Sequence, residues 1–347
     1  MLLSICIPTF NRAKHLDNCL SSILTALRDV ELEVEVCISD NCSTDNTEQI
    51  VLNSKLPVIY KKNSENIGIA RNFLSAVGLA SGEFVWLIGD DDLLLPDSIG
   101  RLGQLIKDNS RVDFFYVNAY HLSVDYVLSH PQPFSVANSP ENMEKFSNYS
   151  VAGDLPFWGL IDRNKSFDFL GGIFLVVFRR SGWQENINAL PLEKLDSRRQ
   201  FSNVYNTFPH SIIFAKAFGK SPAYFCTQPH IICLTGARTW APMYKMIKSI
   251  RMVQLLEIYS KYGMPWIRYV KCRNDALQTY IPDLVWMILN KKISGFEYLN
   301  FRKDVLANAL YPNTYLSLLF FLGRKALLML LILKRFFKLI KQFKRNI

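Results

Sequence analysis

Asp90, Asp91 and Asp92 stand side by side between two apolar runs, Phe84–Ile88 and Leu93–Leu95. Three adjacent carboxylates repel one another, and each resists leaving water. A chain that drives them onto the end of a hydrophobic segment therefore calls for a positive partner there. Oxygen-only donors suit a hard cation such as magnesium or manganese rather than zinc. One or two carboxylates can hold such an ion while phosphate oxygens complete its shell. The plainer alternative is a solvated acidic turn ahead of a helix near Pro96, where Asp also favours the helix dipole.

Two other polar clusters precede this one, and their placement suggests a shared position. Strand-like runs are expected at Ser4–Ile7, Val34–Ser39, Val58–Lys61, Phe84–Ile88 and Val112–Asn118. Leu16, Leu20, Ile23, Leu24 and Leu27 recur at helical spacing after the first, and Ile69, Phe73, Ala76, Val77 and Ala80 before the fourth. Buried strands alternating with amphipathic helices form a mostly parallel α/β sheet, whose ligand crevice lies at the carboxyl ends of the strands. "PTFNR" (residues 8–12) follows the first strand, "DNCSTDNT" (40–47) the second and "GDDD" (89–92) the fourth. Polar groups thus gather on one rim. Each cluster also suits an ordinary helix cap, and the two readings are compatible because anions bind where helices begin.

The order and wording of "SICIPTFNR", "CISDNCSTDNT", "NIGIARN" and "VWLIGDDDLLLPD" resemble glycosyltransferase family 2, whose catalytic domain has the GT-A fold. The wording is similar to that of bacterial transferases that build surface polysaccharide (O-antigen or capsule), abequosyltransferases among them. The resemblance covers residues 1–120 well and 121–235 loosely. It implies that Pro8, Thr9, Asn11 and Arg12 cradle the nucleotide of a nucleoside diphosphate-sugar. It places Asp40 at the base or ribose and Arg71 close to the nucleotide. It makes the aspartates a D-x-D motif for ribose and a diphosphate-bound Mn²⁺ or Mg²⁺. Gly89 stands where many members have Asp. Alignment on Pro96-Asp97 gives Asp91 the metal position, with Asp90 or Asp92 as the second contact and Asp90 preferred.

Inverting members use a carboxylate, often in a Glu-Asp pair, to deprotonate the acceptor. Here Phe208-Pro209 occupies that slot, leaving His210 alongside it and Asp196 as the candidate bases. His210 suits such a role by its ordinary pKa near neutrality, although a lone His before a helix is more often structural. The missing pair and Gly89 also fit an alternative, a non-catalytic GT-A-like binding module at the membrane.

Charge divides the 347 residues. Residues 1–120 carry 10 Lys/Arg against 16 Asp/Glu, whereas 235–347 carry 20 against 5. Residues 305–347 contain eight basic side chains and no acidic one. There Lys334, Lys338, Lys341 and Arg345 share one helical face, with Phe336, Ile340, Phe343 and Ile347 on another. Arg324 and Lys325 interrupt the apolar run 315–333, which falls short of the roughly 20 residues a spanning helix needs. A basic amphipathic helix lying on an anionic membrane is expected. Basic charge on Leu/Phe-rich helices without a recognisable module argues against nucleic acid. The seven Cys residues form no C-x-x-C pair and read as buried free thiols, and the N-terminus lacks a signal-peptide pattern. The expected location is cytoplasmic, peripheral on the inner face of the membrane. The expected organisation is a donor-binding half (1–120), an acceptor-binding half (121–235) and a helical, membrane-associating region (236–347). The acceptor would be a lipid-linked oligosaccharide.

Overall fold

The computed structural model describes residues 2–166, 168–195, 199–238 and 240–325. Nine strands form one sheet: β1 (Leu3–Thr9), β2 (Val34–Asp40), β3 (Val58–Lys62), β4 (Phe84–Leu87), β5 (Leu93–Leu94), β6 (Phe114–Ser123), β7 (Gly153–Pro156), β8 (Val176–Arg179) and β9 (Pro222–Thr235). Their order is β3-β2-β1-β4-β8-β6-β9-β5, with β7 paired to β9. β3, β2, β1 and β4 run parallel, β8 is antiparallel to both β4 and β6, and β6 is parallel to β9. This is the mostly parallel mixed sheet of a GT-A-like α/β fold.

The helices that position the site are α1 (Ala13–Ala26), α2 (Thr47–Leu52), α3 (Ile69–Gly78), α4 (Ser98–Asp108) and α5 (Pro209–Phe218). Beyond β9 come α6 (Met252–Lys261), α7 (Trp266–Ala276) and α8 (Tyr280–Leu289). α1 buries Leu16, Cys19, Leu20, Ile23 and Ala26, the stripe a 3.6-residue period produces. The chain steps outward from β1 to β3 and returns to β4 across β1. Right-handed crossovers therefore place α1 and α2 on one face and α3 on the other. Ile69 and Phe73 of α3 line the cleft described below, and Phe73 also packs against the core.

Residues 222–235 carried no strand expectation, because Pro222 and Pro229 punctuate them. The sheet accommodates Pro229 at a register shift opposite Asn118. The buried Asn118 amide closes that gap, donating to the carbonyls of Ser147 (2.8 Å) and Thr227 (3.0 Å) and accepting from the Ser147 N–H (3.0 Å). Residues 120–170 extend β6 and supply β7 with short helical turns between them. All seven cysteines are free, and all but Cys42 are buried.

Candidate functional site

β1 and β2 end side by side, and the loops that follow them are laced together. Asn41 N–H donates to the Thr9 carbonyl (2.9 Å) and Asn11 N–H to Ser43 Oγ (2.8 Å). Thr44 N–H donates back to Asn11 Oδ1 (2.8 Å), and Asp45 Oδ2 accepts the Ala13 N–H at the start of α1 (3.0 Å). Asn11 sits at φ 54°, a left-handed conformation that Asn tolerates better than most residues. Neither Thr9 nor Asn11 caps α1; Asp45 does so from the neighbouring loop.

The turn after β4 meets these loops. Thr9 Oγ1 donates to Asp90 Oδ2 (2.7 Å). Arg12 reaches Asp91 Oδ2 through Nη2 (2.9 Å) and Asp90 Oδ1 through Nε (3.5 Å), while Nη1 donates to the Ala237 carbonyl beyond β9 (2.6 Å). Burial and the Asp91 charge push Asp90 up to about 7, against the opposing pull of Arg12 and Thr9. Burial, with Asp91 adding to it, also raises Asp92 far above the ordinary carboxylate value. Asp92 turns back onto the Gly89 N–H (2.7 Å).

Pro8, Thr9, Asn11, Arg12 and Asp90–Asp92 all line one cleft of about 930 Å³. Its far wall includes Asp168, Gly171–Phe174, His210 and Arg238, and side chains from beyond residue 240 such as Tyr244 and Lys248. The helical region expected to serve the membrane therefore also walls the site.

Two expected contacts face elsewhere. Asp40 is fully buried, accepting from Ser43 N–H (2.8 Å) and Tyr60 Oη (2.8 Å); its neighbour Asn41 lines the cleft. Arg71 points away to the carbonyls of Leu195 (3.0 Å) and Leu192 (3.0 Å), and the adjacent Asn72 lines the cleft in its place. The reason is rotation: one step along a strand or helix swings a side chain by about 180° or 100°.

His210 lines the cleft but is a poor base. Its ring is buried beside Phe73, Phe208 and Phe214, and Nε2 lies 3.0 Å from the Gly171 carbonyl, which requires the Nε2–H tautomer. Burial lowers its pKa to about 4. Asp196 lies outside the described residues, as do the basic and apolar faces at 334–347.

Sequence reasoning missed Arg238 and Asp168, which stand in no recognised motif. Arg238 donates to Cys233 Sγ (3.3 Å) and lies over the Trp240 ring (5.2 Å). Burial pulls its pKa down, but Cys233, Asp91 and Asp92 outweigh that and hold it above the ordinary value.

Among the described residues no group of three His, Cys, Asp or Glu side chains is disposed to hold a metal alone. Asp91 with Asp90 makes a smaller oxygen donor set, of the size that Mg²⁺ or Mn²⁺ completes with phosphate and water. Burial first and the Asp91 charge second raise the Asp90 and Asp92 carboxyls, and a cation would offset the second cause.

The profile named "Glycosyl transferase family 2" matches residues 4–166. The chain carries a glycosyltransferase family 2 domain. It is 30% identical to abequosyltransferase RfbV of Salmonella typhimurium over 67% of this chain and 66% of that one. It is 32% identical to chondroitin synthase of Pasteurella multocida over 34% of this chain but only 12% of the synthase. Thus the chain spans just under two thirds of the first relative and a small part of the second. TarS of S. aureus, solved in complex with UDP, superposes with TM-score 0.55 at 17% identity, covering 81% of this chain and 72% of that one. Mannosyltransferase PcManGT of Pyrobaculum calidifontis, solved with GDP-Man and Mn²⁺, gives TM-score 0.50 at 14% identity over 91% and 83%. These two likenesses establish the GT-A-like fold of this chain.

Proposed function

We propose that the protein transfers a sugar from a nucleoside diphosphate-sugar to a hydroxyl of a lipid-linked or oligosaccharide acceptor in bacterial surface-polysaccharide synthesis, with inversion at the anomeric carbon. The observation that carries this reading is the convergence of the β1 and β4 loops on one cleft, with two guanidiniums, Arg12 and Arg238, set around the aspartates. Phe10, 39% exposed at the cleft wall, offers a ring face to a nucleobase. Asn41 and Asn66 add polar groups to the same cleft. Arg12 and Arg238 supply fixed positive charge to the diphosphate as it departs, the electrostatic help that matters most when charge develops in a sheltered site. A divalent cation held by Asp91 and Asp90 would add Lewis-acid neutralisation of the same leaving group. The relatives' chemistry supports the reading, since RfbV is named an abequosyltransferase and TarS was solved with UDP.

The acceptor side is assigned to residues 121–235 together with the cleft wall beyond 240. Leu289, Leu310 and Phe320 are 77%, 90% and 69% exposed. With the basic 305–347 sequence they support peripheral attachment at the inner face of the membrane, where a polyprenyl-linked acceptor would lie. Among the described residues no single helix is long and apolar enough to cross a membrane; one pair bent by 88°, Phe301–Asn308 with Pro312–Lys325, passes on length and composition.

The test is to offer the full chain a panel of nucleoside diphosphate-sugars with Mn²⁺ and a bacterial lipid extract. One donor should raise the melting temperature, release its nucleoside diphosphate and label the lipid fraction. Binding without release or transfer would favour the non-catalytic module instead, and no binding at all would overturn both readings. Sedimentation with anionic liposomes, lost at high salt, checks the membrane assignment.

A further inference from the structure

An inverting transfer needs a base, and neither Phe208-Pro209 nor His210 provides one. Among the described residues, and apart from the Asp90–Asp92 turn, the carboxylates that line the cleft are those of Asp168 and Asp275. Asp275 belongs to an outlying charge cluster with Arg163, Lys271 and Asp162. Asp168 shares the cleft lining with Arg238 and Tyr244, and its charge acts on Tyr244, as does that of Arg238. A sugar whose diphosphate meets Arg238 would lie in the same cleft as this carboxylate.

The seat of Asp168 is built for it. Ser166 Oγ donates to Oδ1 and Gly172 N–H donates to Oδ2 (2.7 Å). The backbone N–H groups of Leu170 and Asp168 also act on this carboxylate, and the residue is half-buried where it lines the cleft. A Cβ at residue 172 would stand 2.8 Å from Asp168 Oδ2, so only Gly allows the approach. Phe169 and Leu170 follow at φ 49° and 67°. Such conformations are strained and persist only where surroundings over-determine them. Here Tyr259 Oη donates to the Phe169 carbonyl (2.8 Å) and Ser211 Oγ to that of Leu170 (2.7 Å). His210, through the Gly171 carbonyl, pins the segment that presents the Gly172 N–H.

We propose that Asp168 is the general base of transfer, an inference that rests on the transferase reading above. The acceptor oxygen bonds to the anomeric carbon while its proton passes to an Asp168 carboxylate oxygen. The bond from that carbon to the β-phosphate oxygen breaks, and its electron pair leaves with the nucleoside diphosphate. The proton then goes to solvent. Burial raises the Asp168 pKa against the opposing hydrogen bonds from Ser166 and Gly172, which moves it toward the range a base uses.

Asp168→Asn should lower kcat by about 10²–10⁴-fold while donor affinity by calorimetry and the melting temperature stay close to wild type. The step of the kcat/KM acid limb that belongs to Asp168 should be lost in this variant, leaving the one set by Asp90, and the whole limb should persist in Asp275→Asn. Ser166→Ala, which removes one hydrogen bond to the ionised carboxylate, should move the limb to higher pH. An unchanged kcat in Asp168→Asn, an unmoved limb in Ser166→Ala, or loss of the limb in Asp275→Asn would overturn the assignment. So would a loss of donor binding and stability in Asp168→Asn equal to its loss of rate. A wild-type chain that binds no nucleotide-sugar overturns the transferase reading and the base with it; a wild type that transfers beside an equally active Asp168→Asn overturns the base alone.

Discussion

Arg12 Nη2 lies 2.9 Å from Asp91 Oδ2, across 79 residues of sequence, and the same guanidinium holds Asp90 through Nε and the Ala237 carbonyl through Nη1. One side chain thus ties the β1 loop, the β4 turn and the segment after β9. Removing it loosens all three and leaves partly buried carboxylates facing each other. Arg12→Ala should cut kcat/KM by about 10²-fold or more, in line with the loss of one preorganised charge donor. Arg12→Lys should recover only part of this, because an ammonium cannot span both carboxylates and the carbonyl. Steady-state kinetics on the three proteins decide it; full rescue by Lys would show that charge alone suffices.

Asp91 and Asp92 are adjacent but differ in use. Asp92 is 3% exposed and accepts from Gly89 N–H, and a neutral amide can do the same. Asp92→Asn should therefore keep most activity and stability. Asp91→Asn and Asp91→Ala should lose about 10²-fold or more of the cation-dependent rate with little change in melting temperature. Turnover titrated with Mn²⁺ separates the two positions, and equal losses would contradict the division.

Glu35 holds the opposite end of the sheet. It is 7% exposed and accepts from Ser4 Oγ (2.5 Å), Ser81 N–H (2.6 Å) and Gly82 N–H (3.1 Å). Burial alone would raise its pKa, but these donors prevail and lower it below the ordinary 4.5. Glu35→Ala leaves buried donors unpaired and should destabilise the fold by about 2–4 kcal/mol. In the wild type this increment is present above pH 4.5 and lost as pH falls through the depressed folded value. Urea unfolding of both proteins between pH 7 and pH 3 should show their stabilities converging on the acid side.

His210 and His230 act at a higher pH. Burial is the main cause that lowers each from 6.5 to about 4. Between those values the unfolded chain takes up protons that the folded chain refuses, so stability falls as pH drops from 6.5 toward 4. The slope is at most about 1.4 kcal/mol per pH unit per histidine. Replacing His230 by Gln should flatten the unfolding free energy over this window. A slope equal to that of wild type would contradict the burial of a neutral ring.

The amino-acid sequence determined the architecture of residues 1–120 and the identity of their loops. Alternating apolar runs and helix-period stretches name the first five long strands, and "PTFNR" and "GDDD" fall where a parallel sheet exposes its carboxyl ends. Those are local properties, written in periodicity and residue type. The facing of single side chains was not legible: Asp40 and Arg71 carry the suggestive chemistry, yet Asn41 and Asn72 beside them reach the cleft. Nor was β9, whose Pro229 is tolerated only because Asn118, 111 residues earlier, closes the bulge. Arg238 and Asp168 belong to no motif, because their roles come from distant partners: the Asp91 field for one, the Ser166 and Gly172 donors with strained Phe169 and Leu170 for the other. Sequence specifies which groups a chain owns and how each segment folds locally. Only the crossing of segments far apart in the chain decides which of those groups share a dielectric, a charge and a cavity.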